Sequence, residues 1–292
     1  MIRKADLAGA WYRADTLGLS AEVDACIDDA KRLLADYAPE PTGEPVSVIV
    51  PHAGLAYSGP LAAAAFLRVR EAFENVDAFV VFGACHRARI SRPAIWNKGA
   101  WETPLGPIDI DEELAETLIG SGLGNADFQA HLGDNSIELQ TPFIKRLFPD
   151  AKMVPIAMSF FPDAWRIGES VAAMTDGKRI VAVGSTDLTH YGASFGVTPA
   201  GTGEPALAWA GENDRRFLDT LLNLNLDAIV PTASRDGSAC GAGAAAAAAG
   251  WAKANGCRNG TLLAHANSYE IAPRGDASHF VGYASIVYEM EA

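Results

Sequence analysis

Six histidines and four cysteines are few enough to weigh one at a time. His52 stands in Val48-Ile49-Val50-Pro51-His52-Ala53-Gly54, where Pro51 ends an apolar run and Gly54 permits a tight turn. His86 holds the matching place after Phe79-Val80-Val81-Phe82-Gly83. Two neutral imidazoles on two strand tips can converge on one ion, and imidazole suits zinc, copper and iron. A hydrogen-bonded loop histidine has the same local sequence, and spacing alone does not bring the two together.

Asp187 and His190 form a third group, in Gly184-Ser185-Thr186-Asp187-Leu188-Thr189-His190-Tyr191. A carboxylate and an imidazole three apart after a strand can bind a metal, orient one another, or work as an acid–base pair. The plainer reading is an Asp cap with an incidental His. Cys240 is the fourth, where Asp236-Gly237-Ser238-Ala239 gives way to a Gly/Ala-rich helix. Orphan N–H groups at a helix start favour thiolate, the form that binds metal or attacks an electrophile. A small buried packing residue is the alternative. Cys85 competes with His86, but adjacent side chains at a strand tip face opposite ways. Asp134 or Asn135 is expected to cap the helix that follows, with Glu138 in its first turn. Gly241-Ala242-Gly243-Ala244-Ala245-Ala246 fits a loose dinucleotide pattern, but no apolar strand precedes it, so close helix packing is the preferred reading.

Short apolar runs alternate with longer amphipathic ones. Strands are expected over 46–50, 78–82, 152–157, 179–183, 261–266 and 281–288. Helices are expected over 21–37 (capped by Ser20), 61–73, 112–119, 136–147, 164–174, 205–222 and 240–254. This alternation predicts an α/β fold with a largely parallel central sheet and helices on both faces. Three strands deliver polar side chains at their carboxyl ends, where open α/β sheets bind ligands. No linker or repeat divides the chain, so one domain over 1–292 is expected.

The formal net charge is −13, with no basic cluster, which argues against nucleic acid and anionic membrane surfaces. No stretch has the length and apolarity of a bilayer span, and residues 1–6 lack a signal-peptide core. The four cysteines form no CxxC pair or dense framework. The cytoplasm is the expected compartment.

Eight blocks in order carry a family resemblance. They are Ala8-Gly9-Ala10-Trp11-Tyr12; Pro51-His52-Ala53-Gly54 with Tyr57-Ser58-Gly59; Gly83-Ala84-Cys85-His86; and Glu102-Thr103-Pro104-Leu105-Gly106. The remainder are Asn135-Ser136-Ile137-Glu138 with Pro142-Phe143; Ser185-Thr186-Asp187-Leu188-Thr189-His190-Tyr191; Cys240-Gly241; and Val281-Gly282-Tyr283-Ala284. Together they resemble the Memo family, called AmmeMemoRadiSam system protein B in bacteria and archaea. Asn135 stands where the family has a histidine.

The resemblance implies a fold shared with class III extradiol (LigB-like) dioxygenases. It also implies a mononuclear site at His52, His86 and Cys240 holding iron or copper, with zinc as a further option. Asp187 and His190 are expected beside it as catalytic groups. A thiolate in place of the extradiol carboxylate weakens the case for ring cleavage, because soft sulfur favours Cu(I), zinc or iron–sulfur chemistry. Three functions follow as expectations: an oxidoreductase acting on a small substrate, a zinc-type hydrolase, or a non-enzymatic adaptor holding a peptide or partner. The system name implies radical-SAM and AMMECR-type partners, and Trp11 and Tyr12 are candidates to line a partner pocket.

Overall fold

The computed structural model describes residues 1–175 and 177–291. In chain order the elements are β1 (Ile2–Arg3), α1 (Thr16–Tyr37), β2 (Gly43–Val50), α2 (Leu55–Ala72), β3 (Ala78–Ala84), β4 (Ala94–Ile95), β5 (Ala100–Trp101) and β6 (Ile108–Asp109). Then come α3 (Glu112–Gly120), β7 (Asn125–Ala126), α4 (Asn135–Glu138), α5 (Thr141–Leu147), β8 (Lys152–Met158), α6 (Ala164–Ala172), β9 (Ile180–Ser185) and β10 (His190–Tyr191). The chain finishes with α7 (Glu204–Leu222), α8 (Leu226–Asp236), α9 (Ala242–Ala254), β11 (Thr261–Asn267), α10 (Ser268–Ile271) and β12 (Phe280–Glu291).

The main sheet runs β10-β12-β2-β9-β3-β8-β4-β7, with β11 also paired to β12. Its centre, β2-β9-β3-β8, is parallel, and β12 joins β2 antiparallel. The α/β class is therefore as the alternating pattern implied, with antiparallel margins. All seven residues of β3 are buried, as a strand covered on both faces requires. α2 packs on β2 and β12, while α9 packs on β9, β2 and β3. One hydrophobic cluster runs from Leu7 to Tyr288 through both helical layers.

The Gly/Ala-rich helix explains its own composition. A Cβ on Gly168 of α6 would lie 1.7 Å from the Ala247 carbonyl oxygen, and one on Gly250 of α9 2.0 Å from that of Trp165. α6 and α9 thus approach backbone to backbone, and on the sheet side a Cβ on Gly184 would meet the Ala248 methyl at 2.7 Å. Close packing, not phosphate binding, accounts for the glycines.

Several boundaries differ from expectation. α1 begins at Thr16 because Asp15, not Ser20, accepts from the Gly18 amide at 2.8 Å. α2 begins at Leu55, ahead of Pro60, whose missing N–H costs only the carbonyl of exposed Ala56. The helix expected over 136–147 is two pieces, broken at Leu139-Gln140. α8 was not anticipated; Pro231 lies within it, again opposite an exposed residue, Asp227.

Candidate metal centre

Topology creates the site. β9 lies between β2 and β3, so the carboxyl tips of three adjacent strands meet. β2 and β3 are about 9.6 Å apart, two strand spacings. His52 and His86 follow those two tips and lean together over the third, with ring centroids 5.2 Å apart and edge-on. Cys240, 188 residues further along than His52, arrives on the segment leading into α9, and its Sγ lies 3.2 Å from His52 Nε2. The donor atoms of His52, His86 and Cys240 all lie within 4.8 Å of one another. A second group, Asp187, His190 and Cys240, meets the same limit and shares the thiol. Spacing left all five open; the fold brings them together.

Hydrogen bonds fix which nitrogen each imidazole presents. The Ser185 hydroxyl lies 2.6 Å from the Ser136 carbonyl oxygen, which can only accept, so its one proton points there. Ser185 Oγ must then accept from His52 Nδ1 at 2.8 Å and from Gln140 Nε2 at 3.2 Å. His52 is therefore protonated on Nδ1, and its Nε2 lone pair faces Cys240. His190 Nδ1 likewise lies 2.9 Å from the Leu188 carbonyl oxygen and must donate to it. His86 Nδ1 faces Asp134 Oδ2 at 3.4 Å. Each ring thus has its Nδ1 engaged by the protein, the usual way a metal-binding imidazole is oriented.

Asp134 serves two elements. It caps α4 by accepting from the Ser136 amide, as expected, and it also accepts from the His86 amide at 2.7 Å. Burial raises its carboxyl, but the contacts with His86 and Ser136 outweigh that and hold it far below the usual carboxylate range. Burial lowers the His86 imidazole, yet the Asp134 contact prevails and its net shift is upward. His52, 1% exposed, is driven well below the usual imidazole range, first by burial and then by repulsion from His86. Asn135 also contributes: its Nδ2 donates to the His52 carbonyl at 2.9 Å.

Asp187 Oδ1 accepts from the His52 amide at 2.7 Å, and Oδ2 sits 4.0 Å from His52 Nε2. Burial pushes this carboxyl up to about 6, against the pull of its backbone hydrogen bonds and the nearby imidazoles. The Cys240 expectation needs a correction. Cys240 precedes α9 by two residues, with Gly241 as the cap, so it is not in the first turn. Burial of the thiol, reinforced by Asp187, raises it above the usual thiol range instead of lowering it. A cation bound there would have to displace the thiol proton.

The remaining expectations resolve as follows. Cys85 turns away, its Sγ 3.4 Å from the Ala88 carbonyl oxygen. Glu138 is no mere first-turn charge. It is fully buried and accepts from Arg3 at 2.5 Å, from Tyr12 Oη at 2.7 Å and from the Leu7 amide at 2.8 Å. It clamps the N-terminal segment onto α4, and Tyr12 is a buried strut. Trp11 is 38% exposed, and its carbonyl accepts from the Leu55 amide. Gly54 has φ −55°, so it serves not as a left-handed turn but as a close approach: a Cβ there would lie 3.3 Å from the Trp11 oxygen. Of the other histidines, His131 is buried against the Ala94 carbonyl, His265 pairs with Asp214 at 3.0 Å, and His279 bonds Ser194.

Ser185, Gln140 and Asp134 were not anticipated in these roles. Ser185 was visible inside the strand-tip block and Asp134 as the cap of α4; Gln140 had no signal beyond proximity to them in the fold.

This is an α/β protein with a His–His–Cys cluster, suited to a metal ion, at the carboxyl edge of a parallel core. The Memo-like protein family model matches residues 3–287, and the chain belongs to that family. A MEMO1 family protein of Caldivirga maquilingensis is 33% identical over 297 residues, covering 98% of each chain. One from Methanopyrus kandleri is 32% identical over 298 residues, covering 99% of each. Among solved structures, an uncharacterized protein of Escherichia coli K12 superposes with a TM-score of 0.51 at 14% identity, over 82% of this chain and 98% of that one. That likeness concerns the fold alone. Among the described residues no helix is long and apolar enough to cross a membrane.

Proposed function

We propose that this chain is a metal protein in which His52, His86 and Cys240 hold one iron or copper ion, with Asp187 and His190 handling protons for a reaction on a small substrate. The observation that carries the reading is the 3.2 Å approach of Cys240 Sγ to a His52 nitrogen whose tautomer is fixed from behind by Ser185. Nitrogen and sulfur ligands of one tetrahedral ion, at about 2.0–2.1 and 2.3 Å, stand about 3.5 Å apart. The donor set fits an ion of that kind with little movement. Its two nitrogens and one sulfur favour a soft or borderline metal over a hard one.

A bound iron or copper would supply Lewis acidity and one-electron redox capacity. The residues do the rest. Ser185 and Asp134 hold the two imidazoles with Nε2 available. Asp187, raised toward neutrality by burial, is placed to take or give a proton beside Cys240. His190, protonated on Nδ1, presents a free Nε2 for the same purpose. His86, its side chain 33% exposed, leaves the cluster reachable from solvent.

One observation favours a second reading. A carboxyl near 6 beside two imidazoles and a thiol is also the equipment of a zinc hydrolase, with Asp187 as general base. Metal analysis of untagged protein, with Cys240→Ser alongside, tests the main reading. One iron or copper per chain, lost in the variant, supports it. Full occupancy in the variant removes Cys240 from the ligand set, and stoichiometric zinc selects the hydrolytic reading.

A further inference from the structure

The closing block Val281-Gly282-Tyr283-Ala284 supplies none of the cluster's donor atoms, yet its glycine marks an arrangement behind the cluster. A Cβ on Gly282 would lie 2.3 Å from Asp214 Oδ2 and 3.1 Å from Leu188 Cβ. β12 thus has no side chain where a carboxylate from α7 crosses it. Asp214 is 2% exposed, and both its oxygens are engaged. Oδ1 accepts from the Thr189 amide at 2.9 Å, and Oδ2 lies 3.0 Å from Nε2 of His265 on β11. The adjacent Asn213, also buried, donates from Nδ2 to Thr189 Oγ1 at 2.9 Å and to the Asp236 carbonyl at 3.1 Å. α7 therefore holds Thr189 by its amide and its hydroxyl, and ties it to the end of α8, from which the chain runs on to Cys240.

Thr189 matters because of the peptide unit it shares with Leu188. The N–H of that unit is the Thr189 amide, which donates to Asp214. Its C=O is the Leu188 carbonyl, which accepts from His190 Nδ1 at 2.9 Å. One peptide group thus stands between a buried carboxylate and an imidazole of the cluster. A hydrogen bond to an anion polarises the amide, and its carbonyl becomes the better acceptor. An imidazole whose Nδ1 proton is held more firmly has a more basic Nε2. Satisfying the Thr189 amide does not in itself call for a charge; a neutral acceptor would do, and a buried carboxylate costs more. The rest of the segment is secured by neutral bonds. The Leu188 amide donates to the Gly282 carbonyl at 2.8 Å, and the Gly282 amide to the Thr189 carbonyl at 2.9 Å. The charge falls on the one peptide that engages His190.

We propose that Asp214 is a positioning residue for His190, acting through the Leu188–Thr189 peptide as a directly bonded carboxylate acts on a histidine. It keeps the His190 proton on Nδ1 and leaves Nε2 as the stronger acceptor, on a ring whose donor atom lies within 4.8 Å of those of Asp187 and Cys240. Among the described residues no carboxylate bonds His190 Nδ1 directly; the Leu188 carbonyl occupies it. His265 holds the second oxygen, so the carboxylate stays turned toward the Thr189 amide. Gly282 is then explained by the space this carboxylate needs. The inference rests on the proposed function only in taking His190 as a proton-handling group, since the chain of hydrogen bonds involves no metal.

The test is nuclear magnetic resonance of the isotope-labelled, chelator-treated full chain, at a pH above the ordinary imidazole range. Correlations from the carbon-bound ring protons report both ring nitrogens of each histidine. In the native protein His190 is expected to carry its proton on Nδ1. Asp214→Asn keeps the size and an oxygen for the Thr189 amide but removes the charge. The Thr189 amide proton should move upfield, as a charge-assisted bond gives way to one about half as strong, and His190 Nδ1 should move upfield with it. Cooperative strengthening is about 10–30% per bond, so the ring's change is the smaller of the two. His265→Ala, at a side chain 31% exposed, takes a donor from the other oxygen, and both signals should then move downfield. His52 Nδ1, held by Ser185, is the internal reference and should stay in place. Thr189 and His190 moving together with His52 still supports the inference, whether or not the protein proves to bind iron or copper. A native His190 protonated on Nε2, a Thr189 shift with His190 unmoved in either variant, or equal movement of His52 overturns it.

Discussion

Removing the Ser185 hydroxyl should weaken the metal site without touching a metal ligand. Ser185 is fully buried, and its Oγ meets three groups: the Ser136 carbonyl, Gln140 Nε2 and His52 Nδ1. In Ser185→Ala the first two keep company. Gln140 Nε2 still donates to the Pro51 carbonyl at 2.9 Å and reaches the Ser136 carbonyl at 3.4 Å. His52 Nδ1 alone is stranded. One unsatisfied buried group costs about 1–3 kcal/mol, and that is the expected stability loss of the metal-free variant in urea. The proton of His52 is then no longer held on Nδ1, and the ring is free to turn. Loss of such an orienting partner lowers metal affinity about 10- to 100-fold, or about 1.4–2.7 kcal/mol. Competition against a chromogenic chelator at fixed pH reads the affinity. Unchanged affinity alongside the full stability loss would refute the tautomer argument, because packing would have been disturbed with no effect on the imidazole.

Three further outcomes follow from the same structure. Glu138→Gln leaves Arg3, 1% exposed, with only its longer 3.6 Å pairing to Asp6 and should cost up to about 3–5 kcal/mol in chemical denaturation; a loss no larger than for surface carboxylates would show that the clamp is not an ion pair. The Asp187 carboxyl, near 6 in the fold against about 3.9 unfolded, binds more protons when folded, so its contribution falls as pH rises from 4 to 6. Asp187→Asn should remove that slope from the urea midpoints of metal-free protein, and an identical slope in the variant contradicts the assignment. Gly168→Ala should destabilise by more than the usual overpacking cost of about 1–3 kcal/mol, since its Cβ would meet backbone at 1.7 Å, whereas Gly211→Ala, in open space on α7, should stabilise by up to about 1 kcal/mol; thermal melts of the pair check the contrast.

The strand tips were legible because β-branched runs ending in Pro51 or Gly83 are local signals. That three tips would be neighbours was not, since nothing local says that β9 inserts between β2 and β3. The same holds for Cys240. Its sequence suggested a helix-start thiol of lowered pKa, but burial and Asp187 come from distant segments and reverse the direction. Glu138 shows the limit most plainly: a first-turn carboxylate satisfied the local rule, while its actual partners, Arg3, Leu7 and Tyr12, lie more than a hundred residues away. α8 was missed because Pro231 reads as a breaker when its solvent exposure is unknown.

X-ray absorption of metal-loaded protein tests the centre most directly. Two imidazoles and one thiolate predict a sulfur shell at about 2.3 Å with nitrogen at about 2.0–2.1 Å, the sulfur disappearing in Cys240→Ser. A first shell of nitrogen and oxygen alone, unchanged in the variant, would contradict the site built here from His52, His86 and Cys240.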